Sequence, residues 1–286
     1  MSFLRRRRVD ESRGDRNSAS TGSWGELRGH GSAARIELEG HAPGVLALHG
    51  FGSTPDEVRL VAEAAHSQRL NAVAPCLPGH GTHVNDLKGT GYHDWYTAAE
   101  AELLRISERG PVIVGGLSTG SLIAMELAAR HRQRVAGLFS LSSATALRWP
   151  YPDLALRLAG AFRVPDFALP KKDGPDIGDP IGKAQHLNYA SQPFHAALEV
   201  RNAGPRVRRL LTRVTCPVFI AHGKKDRVCP VKNAWQVASD VSSTDVTVQI
   251  LPRSHHILTK DFDREELDHC LRQFFRYCAD RTPVDP

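Results

Sequence analysis

The stretch Val112-Ile113-Val114-Gly115-Gly116-Leu117-Ser118-Thr119-Gly120-Ser121-Leu122-Ile123 decides how this chain folds. Three β-branched residues in succession, apolar at every position, read as a strand buried on both faces. From Ser121 to about Arg130, Leu122, Ile123, Met125, Ala128 and Ala129 recur at helical spacing. Between strand and helix stands Gly116-Leu117-Ser118-Thr119-Gly120. The bare G-x-S-x-G pentapeptide is common by chance, but in a strand-turn-helix context it has a mechanical reason. A serine at the tip of a tight turn projects its hydroxyl from the sheet edge, and glycines two residues to either side let backbones pass without a Cβ clash. The helix behind it supplies free N–H groups and a positive dipole end.

The same alternation of buried strand and amphipathic helix continues outward in both directions. Val45 to Leu48 and Asn71 to Pro75 read as strands, with a helix opened by Pro55 between them. A helix over about Asp94 to Ser107 turns Trp95, Ala98, Ala99, Leu103 and Ile106 inward. Val135 to Leu141, Val218 to Ala221 and Val246 to Ile250 read as further strands, and a last helix over about Arg264 to Tyr277 buries Leu267, Leu271 and Phe274. This pattern predicts an α/β fold, a mostly parallel sheet covered by helices on both faces. Residues 145–210 break the alternation with eight prolines. So long a segment between two strands reads as a small cap inserted into the core. The expected organisation is a disordered Arg-, Ser- and Gly-rich tail over 1–33, a core over 34–144 and 211–280, and the cap over 145–210.

Composition excludes several classes. The 286 residues are 41% hydrophobic and 24% charged, ordinary for a globular protein. No apolar run reaches the ~18–20 residues a membrane span needs. The N-terminal Arg5 to Arg8 lacks the apolar stretch of a secretory signal, so the expected location is cytoplasmic. The net charge of +6 could suggest nucleic acid, but six arginines against three acids in residues 1–16 supply half of it. A solvated tail is expected there, with no nucleic-acid partner. A second basic run, Arg201, Arg206, Arg208, Arg209 and Arg213, reads as a solvated helix face, or else as a rim that attracts anionic substrates. The five cysteines are odd in number, widely spaced and free of any C-x-x-C pair, so they read as buried small residues in a reducing compartment. There is no His-Glu-x-x-His and no dinucleotide fingerprint, and neither metal nor cofactor is expected.

A serine hydroxyl needs a base and the base needs an acid, placed at strand ends in the order nucleophile, acid, histidine. Asp226 follows the strand Val218 to Ala221 and fits the acid. His255 and His256 both follow the strand ending near Leu251. Successive residues point in different directions, so only one can reach Ser118. An oxyanion hole requires two N–H donors. Thr119, next after the nucleophile, and Phe51, in the loop His49-Gly50-Phe51-Gly52, are placed for it. His49 reads as a hydrogen-bonding support for that loop. Trp149, Tyr151, Leu154, Leu158, Phe162 and Phe167 of the cap are candidate pocket walls, which together suit an apolar acyl chain.

With those residues placed, the chain resembles the bacterial carboxylesterase and monoacylglycerol-lipase branch of the α/β-hydrolase superfamily. The resemblance runs from about Val45 to Phe275. It rests on His49-Gly50-Phe51, Leu77-Pro78-Gly79-His80-Gly81, Asp94-Trp95, the elbow, Cys216-Pro217-Val218, Gly223 to Val228, and Ser254-His255-His256-Ile257-Leu258-Thr259-Lys260-Asp261. It implies His256 as the catalytic imidazole, with His255 the spacer. It also implies hydrolysis of short- to medium-chain esters or monoacylglycerols through an acyl-enzyme, on a small-molecule ester, by a monomer or homodimer. Thr119 stands where many relatives carry Met or Gln. The triad alone does not choose between esterase, peptidase, thioesterase, carbon–carbon hydrolase and acyltransferase chemistry, and a non-catalytic binding protein is the remaining alternative.

Overall fold

The computed structural model describes residues 27–148, 166–171 and 173–282. Its strands in chain order are β1 (Leu27–Arg28), β2 (Ile36–Leu38), β3 (His41–Leu48), β4 (Leu70–Ala74), β5 (Val112–Leu117), β6 (Val135–Leu141), β7 (Ala168–Pro170), β8 (Asn188–Tyr189), β9 (Ser191–Pro193), β10 (Val218–Gly223) and β11 (Val246–Leu251). The helices are α1 (Arg59–Ser67), α2 (Tyr92–Ile106), α3 (Thr119–Arg130), α4 (Pro180–Gln185), α5 (Phe194–Arg208), α6 (Lys232–Asp240) and α7 (Arg264–Asp280). Seven strands make the central sheet in the order β11-β10-β6-β5-β3-β4-β2. Every pairing in it is parallel except β2 with β4. This is the mostly parallel, helix-covered sheet expected from the alternating pattern, in the α/β-hydrolase architecture that the resemblance implied.

The two faces follow from strand periodicity. Val45 and Ala47 of β3, with Ile113 of β5 and Phe219 of β10, meet α1 and α7 on one side. Leu46, Leu48, Val114 and Ile220 meet α2, α3, α5 and α6 on the other. β5 is buried at all of its positions because it is the fourth of seven strands. β11 is only partly buried because it is an edge. Each side chain buried this way contributes about 1.5–3 kcal/mol, and the sheet fixes where every loop at its C-terminal edge emerges.

Two expectations are corrected. Ordered structure does not wait until Ala34: Leu27 and Arg28 pair antiparallel with Tyr189 and Asn188, so the last part of the supposed tail is a strand on the segment between β6 and β10. Residues 1–26 lie outside the described residues. The cysteines are free thiols, but only Cys229 and Cys278 are buried, while Cys76, Cys216 and Cys270 are half-buried. Among the described residues no helix is long and apolar enough to cross a membrane.

Candidate active site

β5 ends at Leu117, and the chain turns into α3 through Ser118, which takes φ 56° and ψ −112°. A positive φ at a residue with a Cβ costs about 1–3 kcal/mol and persists only where the surroundings enforce it. Here the enforcement is visible. A Cβ on Gly116 would lie 2.4 Å from Leu48 O, and one on Gly120 would lie 2.1 Å from the same oxygen. The elbow is pressed onto the end of β3 so closely that only glycine fits on either side of the serine. Ser118 N–H donates to Leu141 O of β6 at 2.9 Å, which holds the turn to its other neighbour.

Asp226 leaves the loop after β10 and is 5% exposed. Its carboxylate accepts four hydrogen bonds. Oδ1 takes Val228 N–H (2.8 Å) and Cys229 N–H (2.7 Å). Oδ2 takes His256 Nδ1–H (2.8 Å) and His222 Nε2–H (3.0 Å). All its lone-pair sites are occupied. Burial would raise its pKa, but the His256 charge and the two imidazole hydrogen bonds override it and hold the group well below the usual carboxylate range. The carboxylate therefore stays ionised at neutral pH.

His256 follows β11 and is equally buried. Because a carboxylate only accepts, the 2.8 Å contact fixes the proton on Nδ1 and leaves Nε2 for the cavity. Burial disfavours the imidazolium, but the adjacent Asp226 charge outweighs it and raises the His256 pKa well above its ordinary value. His255 faces elsewhere: its N–H and Nδ1 both reach Asp261 Oδ2, at 2.7 and 3.2 Å. Of the adjacent pair it is His256 that lines a cavity of about 650 Å³ together with Ser118, Phe51 and Thr119. Asp226, Cys229 and His256 bring one potential metal-ligating atom each within 4.8 Å of one another. The imidazole nitrogen and the carboxylate in this group are already hydrogen-bonded to each other.

The loop carrying Phe51 is held from below. His49 Nδ1–H donates to Gly50 O (2.9 Å), while its Nε2 accepts Leu77 N–H (3.0 Å). Burial lowers its pKa to about 4, so it is a neutral support, as its position suggests. The Phe51 ring packs on Trp95 at 5.5 Å and on His80 at 6.1 Å.

A model of the family described as serine aminopeptidase, S33 (Hydrolase_4) matches residues 41–263, which contain all of these groups. The chain belongs to this family. Among curated proteins, a thermostable monoacylglycerol lipase from Bacillus sp. (strain H-257) is 30% identical over 233 residues, 81% of this chain and 90% of that protein. A structure from work on LipS and LipT, two metagenome-derived lipolytic enzymes, matches with a TM-score of 0.79 at 26% identity, covering 87% of this chain and 100% of that one. The monoacylglycerol lipase of Paleococcus ferrophilus shares the fold, with a TM-score of 0.70 at 17% identity over 85% of this chain and 98% of that one.

Within this S33 hydrolase, Asp176 and Tyr189, between β6 and β10, are tied to the site by backbone bonds. Tyr189 N–H donates to Gly52 O (3.0 Å), and both His256 N–H and Ile257 N–H donate to Asp176 O (3.1 and 3.2 Å). Of the pocket walls expected there, Trp149, Tyr151, Leu154, Leu158 and Phe162 lie outside the described residues. Phe167 is not among the cavity-lining residues: it precedes β7, is 45% exposed and stacks on Phe194 at 4.8 Å. Leu147, Leu169, Val200, Val228 and Ile257 supply apolar lining instead. The basic run of α5 does not rim the cavity; Arg208 pairs with Asp240 and Arg206 lies over the Tyr92 ring.

Four polar residues at the site escaped sequence reasoning. His222, the second donor to Asp226, sits at an ordinary strand position. Glu57, fully buried, accepts Gly50 N–H; in sequence it is merely an acid in a first helical turn. Lys171 and His186 line the cavity from a segment without a motif. None carried a sequence signal beyond its polarity.

Proposed function

We propose that this hydrolase cleaves carboxylic esters of short to medium acyl chain, monoacylglycerols among them, through an acyl-enzyme on Ser118. The observation that carries the reading is the joint placement of Ser118, in its strained elbow, and the Asp226-paired His256 on one cavity. Nε2 of His256 takes the Ser118 proton as the hydroxyl attacks the ester carbonyl, and Asp226 stabilises the resulting imidazolium. The N–H groups of Phe51 and Thr119 receive the oxyanion. His256 then protonates the departing alcohol, and a water activated by the same imidazole releases the acid. No step requires a metal or cofactor. The 30% identity to a monoacylglycerol lipase over most of both chains supports an ester as substrate, and the apolar lining supports an acyl chain.

In this reading residues 145–210 act as the substrate-binding cap on a core of 34–144 and 211–280, and the chain works in the cytoplasm as a monomer or homodimer on a small molecule, without nucleic acid. The test is a panel of p-nitrophenyl esters and monoacylglycerols beside amino-acid amides and acyl-CoA. Turnover of the esters is expected, with fluorophosphonate labelling lost in Ser118→Ala while the circular dichroism spectrum is unchanged. Labelling that persists in Ser118→Ala, or turnover confined to amides or thioesters, would overturn the reading.

A further inference from the structure

The cavity holds a cation that the hydrolytic mechanism does not use. Lys171 follows β7, and its backbone N–H is fixed to Ala190 O at 2.9 Å. Its side chain leans over the oxyanion loop: Nζ lies 3.3 Å from where a Cβ of Gly52 would stand. The other Lys or Arg side chains on the cavity wall are Arg148, which is exposed, and Arg227. Lys260 pairs with Asp56 at 2.9 Å, and Arg227, also on the cavity wall, pairs with Asp176 at 2.7 Å. Lys171 has no carboxylate within 4.0 Å among the described residues.

Glu57 is the nearest acid by its influence, but its carboxylate is committed. Oε2 accepts Gly50 N–H, and Oε1 faces His186 Nε2 at 3.6 Å. The same carboxylate stands beside the nucleophile: around the position a Gly50 Cβ would take, Glu57 Oε2 is at 3.0 Å and Ser118 Cβ at 3.4 Å. The ammonium of Lys171 thus lines the same cavity as the reacting serine and forms no ion pair among the described residues. A half-buried ammonium without a partner is costly, and the cost is relieved when a ligand supplies an anion.

We propose that Lys171 forms an anion subsite in the catalytic cavity and binds a carboxylate carried by the ester substrate. The subsite rests on the ester-hydrolase reading and narrows it to esters that bear a free acid on either the acyl or the alcohol side. A carboxylate suits the place better than a phosphate dianion, because the cost of taking an anion out of water grows faster with its charge than does the attraction of a single ammonium. The groups that face Lys171 are Glu57 from the turn after Pro55, His80 from the loop after β4, and His186 from the loop after α4. Burial lowers both histidines, His186 to about 3, so neither competes as a cation near neutral pH. Burial also lowers Lys171, to about 8. A carboxylate preference should therefore fade as pH rises through that value.

The experiment compares kcat/KM for three methyl esters of equal chain length: monomethyl adipate, methyl 6-hydroxyhexanoate and methyl hexanoate. A second arm compares butyrate esters of a hydroxy acid and of the matching simple alcohol, which places the carboxylate on the leaving group. Taking ratios within each arm cancels the titration of His256. In at least one arm the carboxylate ester should exceed its neutral isosteres by on the order of ten- to a hundredfold, the worth of one charge-assisted hydrogen bond. The arm that shows the preference assigns the side. Lys171→Met should erase the ratio while leaving hydrolysis of methyl hexanoate in place, and Lys171→Arg should keep it. Equal rates for charged and neutral esters, a preference for the hydroxyl ester, or a ratio that survives Lys171→Met would overturn the subsite. Hydrolysis of none of the esters would instead overturn the reading on which it rests.

Discussion

His49 makes the fold itself sensitive to acid, and the size of the effect can be worked from its surroundings. Its Nε2 must accept the Leu77 N–H, and its Nδ1–H must donate to Gly50 O. The imidazolium has no acceptor left for Leu77 and would set two donors against each other in a site closed to water. Burial accordingly lowers the pKa from 6.5 to about 4. The unfolded chain takes up a proton as pH falls through 6.5 and the folded chain does not, so this contribution is complete above 6.5 and is lost as pH falls toward 4. Each pH unit in that window is worth about 1.4 kcal/mol, so going from about pH 7.5 to about pH 5 removes about 2 kcal/mol. The variant His49→Gln offers an amide in place of the ring and does not titrate. Urea unfolding, followed by tryptophan fluorescence, should show wild type losing about 2 kcal/mol more than His49→Gln over that interval. His80, 4.9 Å away, is present in both proteins, so its own loss cancels to first order. If the two stability curves run parallel between those pH values, His49 is not the neutral, fully committed support described here.

Other consequences can be checked at the site. His256→Ala should lower kcat by orders of magnitude on p-nitrophenyl butyrate while His255→Ala stays within a few-fold, and the reverse order would show that the wrong imidazole had been chosen. Because the base must be neutral and Asp226 raises its pKa, kcat/KM should rise with pH along a limb lying above 6.5. Asp226→Asn should lower kcat by roughly 10⁴ and move that limb down; a limb that stays in place would detach it from the pair. Gly120→Ala puts a Cβ 2.1 Å from Leu48 O, a backbone atom that cannot swing aside. It should cost at least about 3 kcal/mol or prevent folding, and a normal melting temperature would contradict the close approach.

What the sequence displayed and what it hid divide along a physical line. The elbow was legible because its requirement is local: glycines at two fixed offsets, a buried strand before, an apolar helical stripe after. Asp226 and the pair His255-His256 were legible because parallel strands end on one edge of the sheet, so chain order predicts proximity. Chain order could not choose within the pair; the choice of His256 rested on the resemblance. β1 and β2 were not, since two or three residues cannot display a period. His222 was hidden for a different reason. An inward histidine in a buried strand has many possible partners, and only the return of the loop at Asp226 selects one. Phe167 was misread because an aromatic packs on its own neighbours as readily as on a substrate, and here its ring stacks on Phe194.

The residues from Asp176 to Tyr189, between β6 and β10, are bound into the site and are not a loose cover. Asp176 accepts the N–H groups of His256 and Ile257 through its carbonyl and pairs with Arg227 through its carboxylate. Asp261, four residues on from Ile257, accepts the N–H groups of Gly178 and Asp179 at 2.9 Å each, while Tyr189 holds Gly52. The His256 loop and the loop carrying Phe51 are thus both tied to the described residues that follow Lys171. A substitution that shifts this segment moves the imidazole and the oxyanion donors along with the pocket wall. Misplacement of catalytic groups by as little as 1 Å is costly in rate. Removing the Asp176 carboxylate, which accepts Arg227 N–H and Nε–H, or the Tyr189 hydroxyl, which accepts Thr82 N–H and donates to Gly79 O, is therefore expected to lower kcat and raise KM together. Lys171→Met, which removes none of these ties, should alter discrimination between substrates alone.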